Sequence, residues 1–559
     1  MAERGILGLG RRVAVSLLPL LMAAAGSYGQ QWTAPTAEEL AMTSIAEVPG
    51  APAVYLNRQQ TTDDGLHMYS YYVRLKVLTD KGKEYANVEL PYVTGVTGTQ
   101  IDAIAGRTIH PDGTVIPFSG QPYDKLIAKT GEFERKAKVF TLPAVEVGSI
   151  IEYRYKIRYA DHIVFSPDWM VQTELYTREA HFMWRPTSHR VTTDNGRMVS
   201  RNIHWTPILR EGEKVEETEL PLSNGQKFDG PTTQLDLDVQ NVPPVAKEDF
   251  MPPVESLRYR VLFYYTDVTT TREFWAQEGK LWSKDRERFI GPNQGVKSFV
   301  ATLVSGGDTD DQKARKLYAA VMKMENTDFS RTHTEEEEKA TGLREIKNSD
   351  DIAARQRGSG DQLTELFIAM CRAAGLKAYP MGVADRRKRI FLPQYLDVHQ
   401  LDQLVAIVSI DGKDVYFDPG ERYCEPEHLS WRHSTSGGLR EVENGTEVTG
   451  TPSEIYKTAQ VVRTANLMLN DKGGAFGTMA ISSTGDPALH WRQLALRSDE
   501  TGLREALEAE LRRMVPDGFD VKVSGIENLT DYEKPLVVRF DAKGQLATAT
   551  EKRLLVPAD

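Results

Sequence analysis

The chain has 559 residues, 40% of them hydrophobic and 26% charged, with a formal net charge of −11. That length exceeds one ordinary hydrophobic core and fits about three domains of ~150 residues. An acidic chain with no basic stripe repels phosphate backbones, which argues against nucleic acid as a partner.

Arg11 and Arg12 precede an apolar run from Val13 to Ala25, and the small residues Ser27 and Gly29 stand before a cut at Gln30. A basic start, a short apolar run and small residues behind it read as a secretory signal peptide over 1–29. The run is shorter than the ~20 residues a comfortable membrane span needs. No cysteine follows the cut, and no later stretch reads as a membrane helix, so no transmembrane span is expected in the mature chain. The expected location is the periplasm or the cell envelope. With only Cys371 and Cys424, the folded chain must rely on hydrophobic cores; a single bridge between the two stays open.

A leader, 30–55, is followed by β patterning from about Leu56 to Ser200. Tyr69, Tyr71, Val73, Leu75 and Val77 alternate with more polar neighbours, and DKGK follows as a turn. Ile151, Tyr153, Tyr155, Ile157 and Tyr159 share one face, with Glu152, Arg154, Lys156 and Arg158 on the other. This period of two predicts half-buried antiparallel strands. Asp112-Gly113 marks a tight turn between two strands. Trp205 to Pro253 is Pro-rich and reads as the end of a β domain and a linker.

Helical spacing begins at TTREFWAQEGKLW and recurs in TDDQKARKLYAAVMKM, where Leu317, Ala320, Val321 and Met324 line one side. The polar run that includes Glu335 to Glu338 reads as a solvated loop or exposed helical turn. In GSGDQLTELFIAMCRAAG, Leu363, Leu366, Phe367, Met370, Cys371 and Ala374 form one apolar face. Ser359 and Asp361 are candidate N-terminal caps and Gly375 is the natural stop. Position 360 then lies at the positive end of the helix dipole, where a cysteine would be held as thiolate. Downstream, two apolar strands flank a DGK turn and carry Gln403 and Asp418. An amphipathic helix is expected near Thr501 to Met514, with strands on either side.

These segments resemble the transglutaminase-like superfamily, in the bacterial branch where the transglutaminase core follows a large β-rich domain of unknown function. Such proteins read roughly G-x-C-K-D, then a helix ending LLRAAGI, then FNHVIVAV, DGK and WLDPT. The corresponding segments here are GSGDQ, FIAMCRAAGL, LDQLVAIV, DGK and YFDPG. RTIHPDGTVIPF and LPAVEVGSIIEYRYKIRY resemble the N-terminal domain of that branch. The resemblance implies that Gly360 stands at the nucleophile position, Gln403 at the base position and Asp418 at the orienting position. Glycine carries no nucleophile and an amide takes no proton near neutral pH. An orienting aspartate alone does no chemistry, and loss of the nucleophile costs on the order of a million-fold in comparable triads. Proteins of this branch run on past the last segment, whereas this sequence stops at VPAD, as a truncated product would.

Rescue residues are weak. Cys371 lies on the apolar face, Ser359 lacks a base, and His399 is four residues before Gln403, too far along a strand to substitute. Cys424, Glu427, His428 and His433 have no common zinc spacing. The basic run Asp385 to Arg389 reads as a solvated loop, with contact to an anionic envelope polymer as the alternative.

The expected fold class is multi-domain: a β-rich, sandwich-like domain over 56–258, a papain-like α+β transglutaminase core over 259–445 and a small α+β domain over 446–559. The expected function is non-catalytic, a binding or structural module of the cell envelope whose degenerate cleft takes a protein, a peptide or an envelope polymer. No cofactor or metal is expected. The alternative is an amide hydrolase or acyltransferase, of cysteine type or metal-assisted, with relocated catalytic residues such as Cys424 and its histidines.

Overall fold

A computed structural model describes residues 32–556, apart from 95–98, 131–132, 161–165, 188–190, 193–197, 200–201, 221–232 and 331–345 and the single positions 267, 269 and 292. The segment 1–29 and the run Glu335–Glu338 lie outside the described residues. Among the described residues no helix is long and apolar enough to cross a membrane. The chain is strongly β-rich and folds around several separate hydrophobic cores.

The N-terminal part is built on an eight-stranded sheet. From one edge the strands are Glu216–Glu219, Thr233–Val242, Thr177–Arg185, Ala53–Asp63, Met68–Val77, Ile150–Arg158, Gln100–Ile109 and Val115–Pro117. Ala53–Asp63 runs parallel to Thr177–Arg185, while the other pairs are antiparallel. Two three-stranded sheets pack against it. Val73, Leu75 and Ile151 meet Val88, Leu90 and Phe140 in one core. Phe182, Trp184 and Leu235 meet Trp169, Val261 and Phe263 in a second. The Asp112-Gly113 turn forms as expected: Gly113 sits at φ +87° and Asp112 accepts the Thr114 amide.

Three expectations for this region differ from the structure. In the strands Met68–Val77 and Ile150–Arg158, both faces are buried over residues 72–77 and 150–152, because segment 32–41 covers their polar side chains; residues 153–157 stay half-buried as expected. Lys76 gives its ammonium to the Leu40 carbonyl at 2.8 Å. Arg74 reaches the Thr33 carbonyl at 2.6 Å and Glu39 at 3.2 Å. Glu152, wholly buried, accepts from Arg74 at 2.7 Å, from Tyr72 at 2.6 Å and from Arg107. Trp32 lies under the guanidinium groups of Arg107 and Arg154. The second correction is to the stretch 205–253. It is no simple linker, since Thr233–Val242 enters the large sheet with Leu235, Leu237 and Val239 inward. DKGK, expected as a turn, lies in the 3₁₀ helix Asp80–Ala86.

Arg260–Thr266 pairs with Asn202–Ile208 and with Asp168–Met170, so this strand belongs to the β-rich packing. The helices Thr271–Ile290 and Asp310–Lys323 follow. A five-stranded antiparallel sheet comes next, in the order Lys413–Phe417, Gln403–Ile410, Ala378–Val383, Gly437–Val442 and Gly445–Gly450. The Gly360–Ala373 helix packs on it, with Leu366, Phe367 and Met370 against Ala406, Val408 and Phe417. The DGK turn has positive φ at both Asp411 and Gly412, as a tight hairpin of the expected kind requires. The last part is a four-stranded antiparallel sheet carrying the helices Gly485–Arg497 and Glu500–Arg512, joined through Leu503, Leu507, Leu511 and Phe540. The second helix was expected from its spacing; the first was not.

Candidate functional site

The Gly360–Ala373 helix starts as its sequence dictates. Ser359 accepts the Gln362 amide at 3.3 Å, and the Gln362 side chain accepts the Ser359 amide at 3.0 Å, a reciprocal capping box. Asp361, the other candidate cap, instead turns its carboxyl to the Leu404 amide. Desolvation pushes that carboxyl up to about 6, opposed by the Arg286 guanidinium and reinforced by Asp328. One turn on, buried Glu365 pairs with Arg286 at 2.8 Å, and desolvation raises it to about 7. At the far end Gly375 takes φ +86° and stops the helix.

Gly360 is the first residue of this helix, and its amide donates to Asp328 Oδ2 at 2.8 Å. The positive end of the helix is thus already occupied by a carboxylate of the chain itself. A Cβ on Gly360 would stand 2.9 Å from that oxygen and 3.0 Å from the Gly420 carbonyl oxygen. The Gly420 carbonyl cannot easily yield, because Asn326 Nδ2 holds it at 2.8 Å. The closeness is mutual: a Cβ on Gly420 would stand 2.9 Å from the Gly360 carbonyl oxygen. Gly420 is the last residue of YFDPG, where the resembling motif WLDPT has threonine. Two glycines, one on each side, let the helix start and the turn after the hairpin close together.

The three predicted positions come from neighbouring segments. Thr364 bonds the Gly360 carbonyl at 3.0 Å and touches that of Leu404 at 3.5 Å, tying the first helical turn to the strand that opens at Gln403. Gln403 itself turns its amide to the Asp402 carbonyl at 2.5 Å. Asp418, wholly buried, accepts the Ser430 amide at 3.0 Å and stands 2.8 Å from His433 Nδ1. This overturns the expectation that Asp418 has nothing to orient. The histidine comes from the irregular segment after the hairpin, fifteen residues on, where no periodicity points to it. With a carboxylate at Nδ1, the proton belongs there and the lone pair of the neutral ring lies on Nε2. His433 is 2% exposed, and its Nε2, Asp418 Oδ1 and Ser430 Oγ have no hydrogen-bond partner among the described residues.

The remaining candidates disperse. Cys371 and Cys424 are free and buried. Desolvation raises both thiols above the ordinary cysteine range, so neither offers a thiolate near neutral pH. His428 pairs with Glu454 at 2.9 Å and Glu427 with Arg315, so the expected alternative cluster around Cys424 does not assemble. Among the described residues no group of three such ligands converges. His399 is exposed in a 3₁₀ turn and not on the Gln403 strand. Ser359 spends its hydroxyl on the cap. In the basic run, Arg387 pairs with Asp385 at 2.8 Å and Lys388 with Asp402 at 2.9 Å.

Residues 63–263 match the family described as a domain of unknown function with solved structure, DUF3857. No curated protein matches the chain. Among solved structures, one similar chain is a candidate protease from Parabacteroides distasonis, at 11% identity and a TM-score of 0.45, covering 91% of this chain and 95% of that one. A candidate cysteine protease from Cytophaga hutchinsonii is similar at 12% identity and a TM-score of 0.18, over 45% of this chain and 73% of that one.

Proposed function

We propose that this is an exported cell-envelope protein whose papain-like, transglutaminase-type core no longer performs thiol chemistry and serves as a binding or structural module. One observation carries the reading. The position that would hold the nucleophile is a glycine closed in by the Asp328 carboxylate and the Gly420 carbonyl. The domain layout rests on the motif spacing and on the match over residues 63–263, and the export on the Arg11 to Gly29 pattern. Purified full-length protein is expected to give neither amine incorporation into a glutamine donor protein nor peptide amide hydrolysis above a buffer blank. Turnover that persists with both Cys371 and Cys424 changed to Ala would overturn the reading. Export is checked separately: the mature protein recovered from the periplasmic fraction should begin at Gln30.

A second reading keeps an enzyme with relocated chemistry, and the buried Asp418–His433 pair favours it. In that reading His433 Nε2 is the base, and turnover disappears in His433→Gln while surviving loss of both thiols. Against it, His433 is closed to solvent and neither thiol is its partner.

A further inference from the structure

A groove of about 460 Å³ lies between two parts of the chain. One wall is the segment Phe250 to Pro253, and the other comes from the basic run at Arg386, Arg387 and Ile390 together with Trp431 and Thr435. The walls are tied below the groove by a hydrogen bond of 2.8 Å from the Ile390 amide to the Ser256 hydroxyl.

Three features set this groove apart from ordinary surface. Its apolar side chains are left in water: Phe250 is fully exposed, Trp431 is 48% exposed and Ile390 41%. Its backbone is strained on both walls, with Phe250 at φ +64° and Thr435 at φ +53°. Bulky and β-branched residues rarely hold that conformation, and such strain gathers at ligand clamps. Its charge opposes that of the chain. On the wall, Arg386 donates only to the Trp431 and Ser434 carbonyls and meets no carboxylate among the described residues, while Arg387 is held by Asp385 at 2.8 Å.

We propose that this groove binds an extended peptide segment that alternates apolar and acidic side chains. Apolar side chains would cover Phe250, Ile390 and Trp431, and a carboxylate would pair with the Arg386 guanidinium, which binds it as a fork. A glycan fits less well, because Thr435 is the lone neutral hydroxyl or amide side chain on the walls. A membrane fits less well because the surface is concave. On a chain of net charge −11, an acidic segment is repelled elsewhere and attracted here. None of its lining residues is one of the three triad positions, so the proposal holds whether or not the core is catalytic.

The test uses the full-length protein and a fluorescein-labelled decapeptide alternating Leu or Phe with Glu, read by fluorescence anisotropy. Micromolar binding is expected, weakened about tenfold or more when Lys replaces Glu and several-fold at roughly 0.5 M salt. Phe250→Gly is expected to weaken it about tenfold, with a thermal midpoint equal to or above wild type, because glycine relieves the positive φ. Equal binding of the acidic and lysine peptides, or unchanged binding in Phe250→Gly, would sink the proposal. So would binding of alginate or of anionic phosphatidylglycerol vesicles in place of the peptide. Thiol-dependent turnover by the same preparation would refute the inactive reading of the core and leave the groove untouched.

Discussion

At the scale of single residues, the surroundings of Gly360 leave little room for a side chain. Gly360→Cys places a Cβ within 3.0 Å of a pinned carbonyl, and overpacking of this kind costs about 1–3 kcal/mol. The new thiol would feel two opposing fields, the helix N-terminus lowering its pKa and the Asp328 carboxylate raising it. Labelling by a disulfide reagent at pH 7 is therefore expected to be faster in Gly360→Cys/Asp328→Asn than in Gly360→Cys alone. Equal rates would mean that Asp328 does not govern the site. Asp361 gives a second residue-scale test. Its carboxyl is held up to about 6 in the folded chain against about 3.9 when unfolded. Between those values the folded form holds more protons than the unfolded form, so this residue costs stability as pH rises through the window. Asp361→Asn should gain on wild type in urea-unfolding stability between about pH 4 and 7, by up to about 3 kcal/mol. A gain by wild type over the same range would contradict the assignment.

Among elements, the polar hub at Asp64 shows how the β-rich part is joined. Asp64 sits just beyond the first strand and accepts from Tyr159 at 2.7 Å, from Trp184 at 2.9 Å and from Tyr265. Three elements of two sheets meet on one carboxylate. Asp64→Ala would leave three buried donors unmatched, and a loss of at least about 3 kcal/mol is expected in chemical denaturation. Asp64→Asn, which keeps an acceptor oxygen, should fall between the two. The hub also shows what the sequence could and could not reveal. Periodicity located the Gly360–Ala373 helix to within two residues at either end, because a capping box, an apolar stripe and Gly375 all agree. The DGK and Asp112-Gly113 turns were legible for the same local reason. Contacts that bridge long separations left no local trace. The cover over Arg74 comes from Thr33, 41 residues earlier. His433 reaches Asp418 from a segment with no regular period. Thr233–Val242 carries a clean alternation, but the prolines on either side of it are the stronger local signal and point to a linker.

For the whole molecule, the buried acids act in concert. Desolvation pushes Asp64, Asp168, Asp361 and Asp486 up to about 6, and Glu365 and Glu441 up to about 7. Each holds its proton longer in the folded chain, so each contribution to stability falls as pH rises from about 4 toward 7. His428, raised mainly by its bond to Glu454, acts in the same direction, because its stabilisation is lost as it deprotonates. The urea midpoint is accordingly expected to be higher at pH 5 than at pH 8. A higher midpoint at pH 8 would show that the buried carboxyls do not set the balance. The Asp64 hub has a further consequence for how the chain comes into being. Tyr265 lies 201 residues after its partner Asp64, and its strand seals the core of Trp169, Phe182 and Trp184. During synthesis from the N-terminus, at ~5–20 residues per second, Asp64 waits roughly ten seconds or more for Tyr265, and the Trp169 core waits about half as long for its last strand. Through that interval the Trp169 core has no lid, and the growing chain is at its most open to proteases and to pairing with its neighbours.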